Sequence, residues 1–119
     1  MAAHGEVDIA LDPFPYAGGI STLEALWMGV PVVTLKGAAA GHRASAAILS
    51  VLGLNEWIAE TPREYLDIVR ARAQDIQQLQ MLRMGLRQRL ACSPVANAEI
   101  YVRAVEVAYR DMWRKWCRQ

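Results

Sequence analysis

The chain has 119 residues, 54% of them hydrophobic, with 13 basic and 12 acidic side chains for a formal net charge of +1. This length and composition support one domain with its own core, held without disulfides or a metal. The near-neutral balance gives no bulk electrostatic pull toward nucleic acid or an anionic membrane, and neither is expected as a partner. Cys92 and Cys117 stand alone, with no CxxC or zinc spacing, so reduced thiols are expected. No apolar run nears the roughly 18 to 20 residues that span a bilayer. The first ten residues carry Glu6 and Asp8 and lack a signal-peptide core, so the chain reads as soluble and cytoplasmic.

In chain order, "VDIALD" (7–12) is an apolar, β-branched run stopped by Asp12-Pro13, and "PVVTL" (31–35) is a second run opened by Pro31. Their nearly continuous apolar character predicts strands covered on both faces, as in a parallel sheet. Between them Leu23, Leu26 and Trp27 fall at helical spacing, and Gly29 stands where a helix ends in the left-handed region, which makes a βαβ unit. "RASAAILSVL" (43–52), closed by Gly53, repeats the pattern, and "EWIA" (56–59) reads as a third, edge strand. Thr61-Pro62-Arg63-Glu64 then combines a capping threonine, a first-turn proline and a glutamate three residues on, a helix start by several independent signals.

That helix breaks near Gln74-Asp75, and a second runs on to Ser93-Pro94 with Ile76, Leu79, Leu82, Leu86 and Leu90. A long amphipathic helix over 97–117 follows, with Tyr101, Val105, Ala108, Tyr109, Met112, Trp113 and Trp116 on one stripe. No repeat or linker interrupts the chain. The expectation is a single α/β domain over 1–119, with closing helices over 62–117.

The stretch "YAGGIST" (16–22) sits between the first strand and the first helix. In an open parallel sheet ligands bind beyond the carboxyl ends of the strands, where a helix start offers unpaired N–H groups and a positive dipole end. Gly18 and Gly19 let the backbone turn and approach a ligand closely, and the hydroxyls of Ser21 and Thr22 add donors for a phosphate. Glu24, one turn inside, is placed to accept from a ribose or sugar hydroxyl. The same Gly-Gly before Ser-Thr also serves as a plain strand-to-helix turn. Neither the dinucleotide fingerprint nor a P-loop lysine is present.

The run "DIALDPFPYAGGISTLEALWMGVPVVTL", with "LGLNEWIAETPREY" and "RLACSPVANAEIY", resembles the carboxyl-terminal part of the catalytic region of protein O-linked N-acetylglucosamine transferases, including their SPINDLY-like relatives. The likeness covers residues 7–116, and "EALWMGVPV" is its most specific block. It implies a Rossmann-like three-layer piece of a B-type glycosyltransferase lobe, built on the short parallel sheet near 7–12, 31–35 and 56–59. It also implies UDP-N-acetylglucosamine as donor and serine or threonine hydroxyls of a protein as acceptors.

By this resemblance Gly18, Gly19, Ile20 and Ser21 meet the diphosphate, Glu24 holds the ribose, and Arg43 matches a family arginine. Gly19 stands where many members carry histidine, and Ile20 where they carry threonine, so the grip falls to backbone amides and Ser21. No cofactor or metal is implied. The acceptor site and general base would lie in a missing lobe, since the chain reads as a piece of a longer enzyme. Alone it is expected to transfer no sugar, and to self-associate through apolar surface and strand edges bared near 7–12 and 31–35.

The histidines, His4 and His42, form no catalytic constellation, so no catalytic residue is assigned. Arg43 fits either a local brace or a ligand contact, and His42 a solvated loop. The four tryptophans fall on apolar faces as core or interface residues. The rival to the transferase reading is a non-catalytic α/β interaction module whose last helix docks on a partner.

Overall fold

Three short strands, β1 (Ala10–Leu11), β2 (Val32–Leu35) and β3 (Ile58–Ala59), form a parallel sheet in the order β1-β2-β3 in the computed structural model, which describes residues 2–118. Ala10 pairs with Val32 and Leu11 with Val33 on one side of β2, and Thr34 pairs with Ile58 and Leu35 with Ala59 on the other. β2 is therefore the central strand, with Val32, Val33 and Thr34 buried. This corrects the expected bare edge at 31–35: both sides of that run are paired, and the unpaired edges belong to β1 and β3.

The outer strands are shorter than the sequence patterns suggest. Ala10 and Asp12 donate to Pro31 O and Val33 O at 2.9 and 3.0 Å, so ladder bonding reaches Asp12, but Asp8 and Ile9 form a bend and do not extend the strand. In "EWIA" the Trp57 N–H turns back to Leu54 O at 3.0 Å, and Asn55–Trp57 is a 3₁₀ turn, leaving Ile58 and Ala59 to pair.

Helices α1 (Ile20–Trp27) and α2 (Ala44–Val51) follow β1 and β2. Both end the same way. Gly29 and Gly53 adopt φ of +78° and +65°, and Val30 and Leu54 donate back to Ala25 O and Leu49 O at 2.8 and 2.9 Å. This is the Schellman closure, which needs a left-handed residue and suits glycine. It then drops Val30 and Leu54 into the core at 0% and 1% exposure.

Helix α3 (Pro62–Gln74) starts as its sequence predicts: Thr61 Oγ1 accepts from the Glu64 N–H, and Glu64 Oε2 accepts from the Glu60 N–H. Helix α4 (Ile76–Ala91) begins after Asp75, whose carboxylate accepts from the Gln78 N–H. Leu26, Val33, Leu49, Leu54, Trp57 and Leu86 join sheet and helices in one buried cluster, with the Arg72 guanidinium 5.3 Å from the Trp57 ring centre. Burying Trp57 alone removes roughly 150 to 250 Å² from water.

Helix α5 (Ala98–Trp116), capped by Asn97 on the Ile100 N–H, differs from the rest because none of its residues is buried. It meets the chain chiefly through the turn at Pro94–Ala96. The radius of gyration is 16.2 Å and the longest extent 55 Å, whereas a compact chain of this length gives about 13.5 Å. Trp113 and Trp116 are 66% and 70% exposed, so α5 carries an uncovered apolar stripe. No helix among the described residues is long and apolar enough to cross a membrane.

Candidate functional site

Parallel pairing brings the carboxyl ends of β1 and β2 to one side of the sheet, and the loops leaving them meet there. Tyr16, after β1, lies edge-on to His42, after β2, with ring centres 6.4 Å apart. The turn that starts α1 follows Tyr16 in the chain.

Gly18 is the fixed point of that turn. Its N–H donates to Asp12 Oδ1 at 2.9 Å, and its carbonyl accepts from Ser45 Oγ at 3.0 Å. A β-carbon at Gly18 would lie 2.7 to 2.9 Å from Ser21 Oγ, Asp12 Oδ1 and Thr22 Oγ1, distances that real β-carbons do not adopt. Gly19 is the opposite case, because nothing lies within 4 Å of where its β-carbon would be.

The first turns of α1 and α2 have no side-chain cap, at Gly19 and Arg43, whereas α3, α4 and α5 are capped by Thr61, Asp75 and Asn97. An α-helix leaves its first N–H groups without intrahelical partners, so the amides of Ile20, Ser21 and Thr22 are unpaired within the helix, at the positive end of its dipole. Ile20 is 77% exposed, and Ser21 beside it is exposed too. Thr22 is turned the other way: it is 2% exposed and its hydroxyl bonds Ser45 Oγ at 2.8 Å, so it lies beneath the surface and the hydroxyl donor expected there for a phosphate is taken up inside the fold.

Glu24 lies one turn further along, exposed, and its carboxylate makes no hydrogen bond or ion pair among the described residues. It stands at the rim of an apolar groove lined by Leu23, Trp27, Leu90, Val95 and Ala96. Arg43 precedes α2 and donates from Nε to Gly37 O at 2.8 Å and from Nη2 to Ala38 O at 2.7 Å, which fixes the loop after β2. Residues 18–21 thus form one surface, with Thr22 beneath it and Glu24 further along the helix, and Arg43 acts on the neighbouring loop.

The sequence patterns did not single out the buried side chains under this surface. Asp12 Oδ2 accepts from Thr34 Oγ1 at 2.6 Å, and the Asp12 carbonyl accepts from Tyr65 Oη at 3.0 Å. Burial first, and the Asp12 charge second, raise the Tyr65 phenol above its ordinary value, so it remains a donor. An aspartate at the end of an apolar strand, six residues before the glycine turn, is the signal that would have found this network.

The family described as "Glycosyl transferase family 41" matches residues 4–105. Over 98% of its length the chain is 44% identical to the "Probable UDP-N-acetylglucosamine--peptide N-acetylglucosaminyltransferase SPINDLY" of Oryza sativa subsp. japonica, of which it spans 13%. It is 42% identical over 99% of its length to the protein of the same name from Arabidopsis thaliana, again spanning 13%. Among solved structures, 98% of the chain superposes on 22% of a Thermobaculum terrenum O-GlcNAc transferase mutant, K341M, with a TM-score of 0.84 and 42% identity. The Rossmann-like piece of a B-type glycosyltransferase lobe expected from the sequence is the fold observed.

Proposed function

The chain belongs to glycosyl transferase family 41, and from that membership we propose that the start of α1 holds the diphosphate of a nucleotide-sugar donor, UDP-N-acetylglucosamine, for transfer to serine or threonine hydroxyls of a protein. One observation carries the reading: α1 begins uncapped on a braced glycine turn, with the unpaired Ile20 and Ser21 amides at the exposed start of the helix. A diphosphate supplies what these groups lack, a concentrated negative charge with several acceptor oxygens.

The roles follow from placement. Gly19 leaves room for the phosphates to approach the backbone, and Ser21 adds its hydroxyl. Glu24, free of protein partners among the described residues, accepts from the ribose hydroxyls. Arg43 holds the 37–38 loop against the crevice and keeps further N–H donors on its exposed guanidinium. As the glycosidic bond breaks, negative charge grows on the departing UDP, and fixed amide dipoles stabilise it without reorganising. The grip needs no metal. The acceptor protein and the general base belong to the remainder of the transferase, so this stretch alone binds donor and transfers nothing. A cytoplasmic setting fits the free, exposed thiols of Cys92 and Cys117.

The uncovered stripe of α5 favours a second role within the same chain, docking on further protein, which is compatible with donor binding. Calorimetric titration with UDP and with uridine tests the proposal. UDP is expected to bind at least about tenfold more tightly, because the diphosphate supplies the contacts with the helix start. Equal affinities, or no binding of either, would overturn it.

A further inference from the structure

Four polar side chains lie under the glycine turn with almost no access to solvent: Asp12 is 5% exposed, Thr22 2%, and Thr34 and Ser45 0%. None can touch a ligand in the crevice. Their hydrogen bonds nonetheless converge on Gly18, whose N–H is held by Asp12 from the end of β1 and whose carbonyl is held by Ser45 from the start of α2. Both peptide groups of one residue are thus gripped by side chains from two different elements.

The protons in this network have a single arrangement. A carbonyl oxygen only accepts, so the one hydrogen of Ser45 goes to Gly18 O, and Thr22 must donate to Ser45 Oγ. Thr34 donates to one carboxylate oxygen of Asp12 and Gly18 to the other. Tyr65 reaches from α3 to the Asp12 carbonyl, fixing that backbone from a third direction. Every donor has one acceptor, and no member can rotate without breaking a bond. A βαβ unit folds as well on apolar residues at these positions, and burying a carboxylate and three hydroxyls is unfavourable unless each is satisfied. The network's particular effect is to set the position and direction of the amides that follow Gly18.

We propose that Asp12 and Ser45 are positioning residues: acting through Gly18, they aim the Ile20 and Ser21 amides at the donor's diphosphate. This rests on the donor-binding reading above. It predicts that loosening the grip reduces diphosphate affinity out of proportion to stability.

The test is calorimetric titration of the chain with UDP, alongside thermal melts and amide spectra, for Ser45→Ala, Asp12→Ala, Asp12→Asn and Leu79→Ala. Ser45→Ala and Asp12→Ala are each expected to weaken UDP binding about three- to tenfold, the equivalent of a hydrogen bond's net contribution. In Asp12→Asn the amide oxygen still accepts from Gly18 and the NH₂ group can donate to Thr34 Oγ1, so affinity is expected to return to within about twofold of wild type. Leu79 is a core residue of α4 away from the turn, so Leu79→Ala lowers the melting temperature and leaves UDP affinity within about twofold. If Asp12→Ala does not fold, Ser45→Ala and Asp12→Asn still decide. Unchanged UDP affinity in Ser45→Ala, or an equal loss of affinity in Leu79→Ala, would overturn the positioning role alone. A wild-type chain that binds no UDP would overturn the donor-binding reading, and this inference with it.

Discussion

The Gly18 amide donates to Asp12 Oδ1 across 2.9 Å, which fixes the backbone at the one position of the turn where a side chain cannot fit. Gly18 and Gly19 are adjacent, yet they have opposite tolerances. Gly18→Ala forces a methyl against Asp12, Ser21 and Thr22 and is expected to cost about 1 to 3 kcal/mol of stability. Gly19→Ala meets open space and is expected to change stability by less than about 1 kcal/mol, the difference between glycine and alanine at a helix start, while crowding the phosphates. Urea melts with UDP titrations check the pair. Equal stability losses would mean that the turn is not built as described.

Glu24 separates binding from folding. Its carboxylate is exposed and has no protein partner among the described residues, so Glu24→Gln and Glu24→Ala are expected to leave stability within a few tenths of a kcal/mol. Losing a hydrogen bond from a charged acceptor to the ribose is expected to weaken nucleotide binding by roughly 1.5 to 3 kcal/mol in Glu24→Ala, with a smaller loss in Glu24→Gln. Unchanged affinity with a large fall in melting temperature would make Glu24 a structural residue.

Much of this fold is legible in local sequence because local chemistry specifies it. Gly29 and Gly53 end their helices in the left-handed region, and Thr61 with Glu64 caps α3. The strands were over-read at their ends, since Trp57 closes a 3₁₀ turn in place of a ladder bond. The central place of β2 was missed because strand order follows from pairing between distant residues, not from a run's own pattern. The same holds for Asp12: its local context reads as a strand stop, while its partners Thr34, Tyr65 and Gly18 come from three other segments. The stripe on α5 was readable, and its exposure was not, because periodicity shows that a face is apolar and says nothing of what covers it.

Tyr65 gives the fold an alkaline signature. Its phenol is raised above the ordinary 10.0 by burial and then by the Asp12 charge, so the folded chain holds this proton more tightly than the unfolded one. The resulting stability is whole below about pH 10 and is lost as pH rises from there through the folded value. Denaturant melts of wild type are expected to lose stability more steeply above pH 10 than those of Tyr65→Phe. At neutral pH the variant is weaker by about 1 to 2 kcal/mol through the bond lost to the Asp12 carbonyl. Parallel pH curves would show that the phenol does not titrate in this way.

The stripe of α5 and the unpaired edge of β1 are expected to make the chain self-associate. Tyr101, Met112, Trp113 and Trp116 are each more than half exposed along one helix. Apolar surface of this kind is drawn out of water by a second copy. Sedimentation is expected to show mass rising with concentration, and Trp116→Glu to shift the balance toward monomer without altering the melting temperature. A concentration-independent monomer would contradict this.

The most direct measurement of the central claim is a map of backbone amide shifts as UDP is added to the chain. The account predicts shifts concentrated in residues 18–24, strongest at the Ile20 and Ser21 amides, with α5 unmoved. Shifts spread along α5 or absent from 18–24 at millimolar UDP would contradict it.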